Sequence, residues 1–488
     1  MRYVLALDQG TGGSAAILVD RDGRLVAEAD VPVASIFRQP GWVEQDALEL
    51  VSATTAAAAA VLDHAGVSWS QVAAIGLANQ RETTVVWERA TGRPVGPAIV
   101  WQSRQTADAC LALRQAGWSE TVQRKTGLPI DPYFSATKLR WLLDRVPEGH
   151  RRAEAGDLLG GTVDSWLLWI LAGVHRTDPT NASRTLLYDI HQRAWDPELL
   201  AIFGIPLAML PEVRPSVGVF GETAEGTPIV AVAGDQQAAL FGQVCFASGE
   251  SKTTFGTGAF LLMNTGDQAI SSEQGLLTTL ALDAVGETCY ALEGAVFTAG
   301  AAVDWLRDGL KIVDDAAETA ALARSVPDSA DVVFVPAFSG LGSPHWDPTA
   351  RGTILGLTAS AGRAHLVRAT LEAIALQTVE LFEAMRREFP APVERVRVDG
   401  GGSANDFTMQ RLADLLGLAV ERPKIRETTA LGAAFLGGLA AGFWPGGGAL
   451  ADRWELEHRF EPSISTHERR ETIERWRSAV DRAKGWAT

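Results

Sequence analysis

The sequence is poor in cysteine, with three in 488 residues, and Cys110, Cys245 and Cys289 stand far apart with no CxxC spacing. That pattern excludes a disulfide framework and a thiolate metal cluster, and it fits a reducing cytoplasm. The eight histidines are equally scattered. Positive charge is also short: 43 Lys and Arg stand against 59 Asp and Glu, a net charge of -16. Such a balance argues against nucleic acid or an anionic membrane as the main partner. Long apolar runs are missing as well. The longest, such as "TTAAAAAVL" from Thr54, fall short of a membrane span. No low-complexity linker divides the chain.

What is present is an alternation of strand-length apolar runs and amphipathic helical stretches, the signature of an α/β protein. A chain of this length exceeds what one hydrophobic core serves, so two domains are expected. "RYVLAL", "AAILV" and "LVAEADV" read as three successive strands, the last two joined by the turn "DRDG". A helix is expected from Asp46, then strands at "AAIGLA", "TTVVWE" and "AIVW". In the second half "SKTTFGTGAFLLMNTG" from Ser251 repeats the opening plan of strand, glycine turn and strand. The repetition predicts two like domains facing a cleft, divided near residues 246–249 into 1–247 and 248–488. Helices are expected from Arg363 and Thr428. The charged tail from Glu455 to Ala487 reads as an exposed closing helix.

Three glycine clusters follow strands: "DQGTGGSAA" from Asp8, "FGTG" from Phe255 and "VRVDGGGSAND" from Val396. Backbone amides in such turns cradle phosphate. The first cluster runs into another strand and has no lysine, so it is not the helix-capping kind. Asp8, at a strand end before a Gly-Thr turn, either holds a Mg²⁺ bridging phosphates or caps its own turn. "NQRETT" places Arg81 beside Glu82, donors and an acceptor for a polyol or a surface ion pair. Asp235 in "AGDQQAALFG" is either a general base or a helix N-cap. Trp101 and Tyr133 sit among turn-like polar residues.

Taken together, "DQGT", "NQRETT", "IVWQSRQTA", "DPYFSATKLRW", "AGDQQAALFGQ", "GTGAFLLMNTG", "ALEGAVFTAG", "RVDGGGSANDF" and "TALGAAFLGGLAAGFW" resemble the glycerol kinases of the FGGY carbohydrate kinase family. The resemblance runs in the family's order from Tyr3 to Trp486. It implies two duplicated domains of the actin, Hsp70 and hexokinase type (ribonuclease H-like), with ATP in the cleft, and transfer of its γ-phosphate to glycerol. Carried over by position, it implies that Arg81, Glu82 and Tyr133 bind glycerol hydroxyls and that Trp101 and Phe260 pack on the carbons. Asp235 and Gln236 then stand at the reacting end, with Asp235 as base. Asp8, with Asp235, would hold Mg²⁺. Thr11, Gly12, Gly13 and Thr257 would contact the phosphates, and Gly300, Asp304, Gly401 and Asn405 would line the ATP site. A homodimer or homotetramer is implied too.

The chain departs from that pattern in one place above all. Gly12 and Gly13 occupy two positions where the family carries hydroxyls, Ser14 keeps a third, and Ala15 replaces an arginine. Asp304 and Asp406 also add negative charge where amides are common. The loop "GVFGETAEGTP" lacks the basic residues and the histidine through which some members are controlled, so neither control is expected. Two other readings compete: a related polyol or sugar kinase, and a glycerol or nucleotide sensor with little turnover.

Overall fold

A computed structural model describes residues 2–389 and 393–487. Its frame is two mixed sheets. The first runs in the order Val217–Glu222, Pro228–Gly234, Val72–Asn79, Tyr3–Gln9, Gly13–Val19, Leu25–Pro32. The last three form antiparallel hairpins, while Tyr3–Gln9, Val72–Asn79 and Pro228–Gly234 are parallel neighbours.

The second sheet repeats this plan. Thr288–Val296, Ala259–Gly266 and Ser251–Phe255 pair antiparallel, Ser251–Phe255 lies parallel to Arg395–Asp399 and that strand parallel to Ala419–Pro423, with Leu456–Phe460 antiparallel at the edge. One extra strand, Leu277–Leu282, borders the other edge. The internal repeat seen in the sequence is therefore a repeat of topology. Parallel strands buried on both faces need covering helices. Helix Ala47–Ala65, capped by Asp46 and closed by Gly66 at φ 62°, covers one face of the first sheet.

The two halves meet through helices Asp235–Gly242 and Thr428–Ala440. A Cβ on Gly432 would stand 1.8 Å from the Ala238 carbonyl oxygen, and one on Gly242 2.2 Å from that of Thr428. Glycine is what permits this approach. Helix Thr428–Ala440 also lies on the first sheet, where a Cβ on Gly76 would meet the Ala433 carbonyl at 1.9 Å. The small-residue run is thus a packing device between halves.

The expectation for the tail is corrected. Leu456–Phe460 is an edge strand, and the helix begins at Thr466, burying Ile473, Trp476 and Val480 against the second core. Its sequence, "LEHRF", lacks apolar alternation because an edge strand is held by backbone pairing while its side chains stay exposed. All three cysteines are buried and unpaired. Among the described residues no helix is long and apolar enough to cross a membrane.

Candidate active site

The parallel strands of the first sheet end at one place. Asp8 and Gln9 lead into the turn 10–12, Asn79 into Gln80–Glu82, and Gly234 into the helix that starts at Asp235. Loops beyond the carboxyl ends of parallel strands are where open α/β sheets build sites. The hairpin turn 256–258 of the second sheet faces them. Between them is a cavity of about 200 Å³, whose wall includes Thr11, Gly12, Arg81, Glu82, Trp101 and Tyr133 from the first half together with Asp235 and Gln236. From the second half come Thr254, Gly256, Thr257, Gly258 and Phe260.

The residues expected for a small polar substrate are therefore contiguous. Trp101 stacks edge-on to Tyr133 and Phe260, with ring centroids 5.7 and 5.5 Å away. Both Trp101 and Tyr133 stand in turns, as their sequence surroundings suggest, and both are buried. Trp101 Nε1 donates to Thr11 Oγ1 at 2.8 Å, tying the first glycine turn to the aromatic wall.

Arg81 and Glu82 are buried, not a surface pair. Arg81 donates from Nη1 and Nη2 to the two oxygens of Glu293, at 2.6 and 2.9 Å, and its Nε stands 3.2 Å from Asp235 Oδ1. Arg184 donates to Glu82 Oε1 at 2.6 Å and to Glu293 Oε1 at 3.0 Å. Burial alone would raise the Glu293 carboxyl, but Arg184 and Arg81 outweigh it and hold it below the usual range. For Glu82 burial wins and the carboxyl sits above its ordinary value.

Glu82 adopts φ 61°, the left-handed region that side chains avoid. Its carbonyl accepts from Thr84, from Ser135 and from the buried ammonium of Lys138, which holds the kink in place. Lys138 also donates to the Tyr133 carbonyl at 2.7 Å, so one ammonium sets two wall residues. Burial pulls that ammonium down to about 7. Strain maintained by several donors is characteristic of functional sites.

Asp235 is the first residue of its helix, with Gly234 at the cap, so it is not an N-cap. Its Oδ1 accepts from the neighbouring Gln236 amide at 2.7 Å and pairs with Arg81 Nε at 3.2 Å. Burial raises its carboxyl, and Arg81 and Lys252 draw it part of the way back. Asp8 is not part of the cavity wall, and its buried Oδ1 has no hydrogen-bond partner among the described residues. Burial raises this carboxyl well above the ordinary range, and Asp235, Glu427 and Asp30 add to the shift. An orphaned oxygen surrounded by carboxylates is suited to a cation. Among the described residues no group of three or more His, Cys, Asp or Glu is gathered to hold a metal by itself. Mg²⁺ needs no such cage, because one or two carboxylates with phosphate and water satisfy it.

In the first turn Ser14 and Gly13 are set by packing. The Ser14 hydroxyl bonds Thr54 Oγ1 at 3.0 Å inside the core and does not face the cleft. Gly13 belongs to the strand, where a Cβ would stand 2.7 Å from the Val31 carbonyl, so this backbone has no room for a side chain there. Gly12 alone is open, with nothing within 4 Å of a Cβ. Ala15 lies directly between Asp8 and Asp30 in the strand register, and among the described residues neither carboxylate makes an ion pair within 4.0 Å.

Of the residues expected at the nucleotide, Gly300 donates its amide to the Gly256 carbonyl at 3.0 Å beside the second turn. Gly401 belongs to the short turn Gly401–Ala404, which packs on Phe255 through Gly402. Asn405 caps the helix Asp406–Leu416 and donates to Thr319 Oγ1. Asp304 is half exposed and paired with Arg307 at 3.1 Å. None of these four belongs to the wall of the cavity described above. Sequence reasoning missed Arg184, Glu293 and Lys252. The available signal was a charged residue inside an apolar strand, as in "YALEGAV", which must be buried and paired.

Comparison with known proteins agrees with this geometry. The profile of the FGGY family of carbohydrate kinases, N-terminal domain, matches residues 3–242, and that of the C-terminal domain matches residues 252–441. A glycerol kinase of Aromatoleum aromaticum is 55% identical over 100% of this chain and 99% of its own length. One of Symbiobacterium thermophilum is 55% identical over 99% of each. Among solved structures, Plasmodium falciparum glycerol kinase with ADP superposes with a TM-score of 0.89 at 34% identity, over 99% of this chain and 98% of that one. A xylulose kinase of Lactobacillus acidophilus shares the fold, with a TM-score of 0.85 at 20% identity over 99% of this chain and 97% of that one.

Proposed function

The chain belongs to the FGGY family of carbohydrate kinases, and we infer that it is an ATP-dependent glycerol kinase, transferring the γ-phosphate of ATP to a terminal hydroxyl of glycerol to give sn-glycerol 3-phosphate. The observation that carries the reading is the single cavity joining Asp235, Arg81, Glu82 and Tyr133 to two glycine turns on opposite walls.

In this reading glycerol lies on Trp101 and Phe260, with its hydroxyls toward Arg81, Glu82, Tyr133 and Gln236. Asp235 accepts the proton of the terminal hydroxyl while that oxygen attacks the γ-phosphorus. The new oxygen–phosphorus bond forms as the bond to the ADP oxygen breaks, and that electron pair leaves with ADP. Asp235 must be ionised to act, and Arg81 at 3.2 Å favours the charged form. Amides of the turns at Thr11 and Thr257 suit the phosphates. Asp8 and Asp235 are the residues that would hold Mg²⁺, which supplies charge neutralisation on phosphate oxygens when bound. We take the halves as 1–247 and 248–488, and a cytoplasmic location fits three unpaired, buried cysteines.

A weaker enzyme or sensor has one observation in its favour, the alanine at position 15 where the family carries an arginine. The kinase reading predicts ADP release from MgATP on adding glycerol, exceeding that with erythritol or xylulose. Equal rates with every acceptor, or none with glycerol, would overturn it.

A further inference from the structure

One buried cation in the site has no task in the mechanism above. Lys252, in the strand Ser251–Phe255, is wholly shielded from solvent. Its ammonium donates to Gln236 Oε1 at 2.6 Å and to Thr254 Oγ1 at 2.6 Å, both neutral acceptors. Those acceptors belong to opposite walls of the cavity. Gln236 comes from the helix that begins with Asp235, and Thr254 precedes the turn that carries Thr257.

The charges around Lys252 come from every element packed against it. Asp399 on the neighbouring parallel strand, Asp235 and Glu293 favour the ammonium, and Arg81 opposes it. Burial outweighs these and brings the ammonium down to about 8. Asp399 Oδ2 accepts from Gln243 Nε2 at 2.7 Å, while its Oδ1 has no hydrogen-bond partner among the described residues. Arg81 and Arg184 are committed to Glu82, Glu293 and Asp235, which is two cations against three carboxylates. Lys252 brings that cluster to neutrality without closing onto any one carboxylate.

Resting on the phosphoryl-transfer reading of the cavity, we propose that Lys252 is a positioning residue: it fixes Gln236 on the acceptor wall and Thr254 on the phosphate wall in one arrangement, and it holds a fixed positive charge between them. A pre-set donor array and a fixed positive charge act most strongly where water is excluded. Loss of the ammonium then slows transfer more than it weakens glycerol binding.

The test uses the full chain with Lys252→Met and Lys252→Arg, reading kcat and glycerol KM separately, the pH profile of kcat, and ADP binding by calorimetry near pH 7. Lys252→Met is expected to lower kcat about 100-fold and ADP affinity about tenfold, with glycerol KM changed less than about threefold. Lys252→Arg recovers part of the ADP affinity. If Lys252→Met does not fold, Gln236→Glu reads the same contact, because a carboxylate beside Lys252 moves the alkaline limb of kcat to higher pH. Parental kcat and ADP affinity in Lys252→Met, or an unmoved limb in Gln236→Glu, would overturn the proposal. No glycerol-dependent turnover in the parent would instead overturn the kinase reading, and ADP calorimetry would still decide whether Lys252 serves the phosphate wall.

Discussion

Arg81 and Glu293 form a bidentate ion pair between the two halves of the chain, at 2.6 and 2.9 Å, with neither side chain reaching solvent. The residue that carries the expected contact with glycerol is thus held by the opposite domain. Removing one member of a buried pair leaves the other charge uncompensated, at a cost of about 3 to 5 kcal/mol. Glu293→Gln is therefore expected to lower unfolding stability by about 3 kcal/mol and to raise glycerol KM at least about tenfold, measured by denaturant melts and initial rates. Unchanged KM would show that Arg81 is positioned without Glu293.

Gly12 and Gly13 separate two meanings of glycine at one turn. Gly12→Ser is expected to fold with parental stability, since nothing lies within 4 Å of its Cβ. Gly13→Ser forces a Cβ to 2.7 Å from the Val31 carbonyl and should cost about 2 kcal/mol through the strand pairing. Thermal melts of the two variants distinguish them, and equal stability would contradict the geometry.

Ala15 lies opposite both Asp8 and Asp30. Ala15→Arg places a guanidinium between these carboxylates, and ADP affinity by calorimetry should rise about tenfold, in line with one charge-assisted bond to phosphate. Weaker binding would indicate that Asp8 and Asp30 capture the new side chain.

Several buried carboxyls are raised by burial, among them Asp8, Glu82, Asp178, Asp235 and Asp399, and Asp164 is brought up to about 7. A carboxyl raised in the fold binds its proton more tightly there than when unfolded. Its contribution is complete below the unfolded value and is lost as pH rises through the folded one. The ligand-free protein should therefore melt at lower temperature at about pH 8 than at about pH 5, with a shallower decline in Asp164→Asn. A melting temperature that rises over that interval would contradict these shifts.

Much of the frame was legible because strands and turns announce themselves locally. The hairpins at Gly10–Gly12 and Gly256–Gly258, the cap at Asp46 and the repeated plan all follow from short-range pattern. Residues of the cavity wall were legible through their motifs. Ser14 turns into the core, as period two in its strand groups it with Ala16 and Leu18 toward the helix Ala47–Ala65. Arg184 and Glu293 escaped such local reading. Their role exists only in partners more than 100 positions away, and no local pattern encodes such a pairing.

In the proposed mechanism Asp235 takes the proton of a glycerol hydroxyl during phosphoryl transfer. Glycerol-dependent ADP release by the parent and by Asp235→Asn, with glycerol binding followed by calorimetry, tests it most directly. The variant is expected to bind glycerol within about threefold of the parent and to lose at least about 1000-fold in kcat, a loss as large as that of a base and its fixed charge together. A variant with glycerol-dependent turnover within about tenfold of the parent would contradict it.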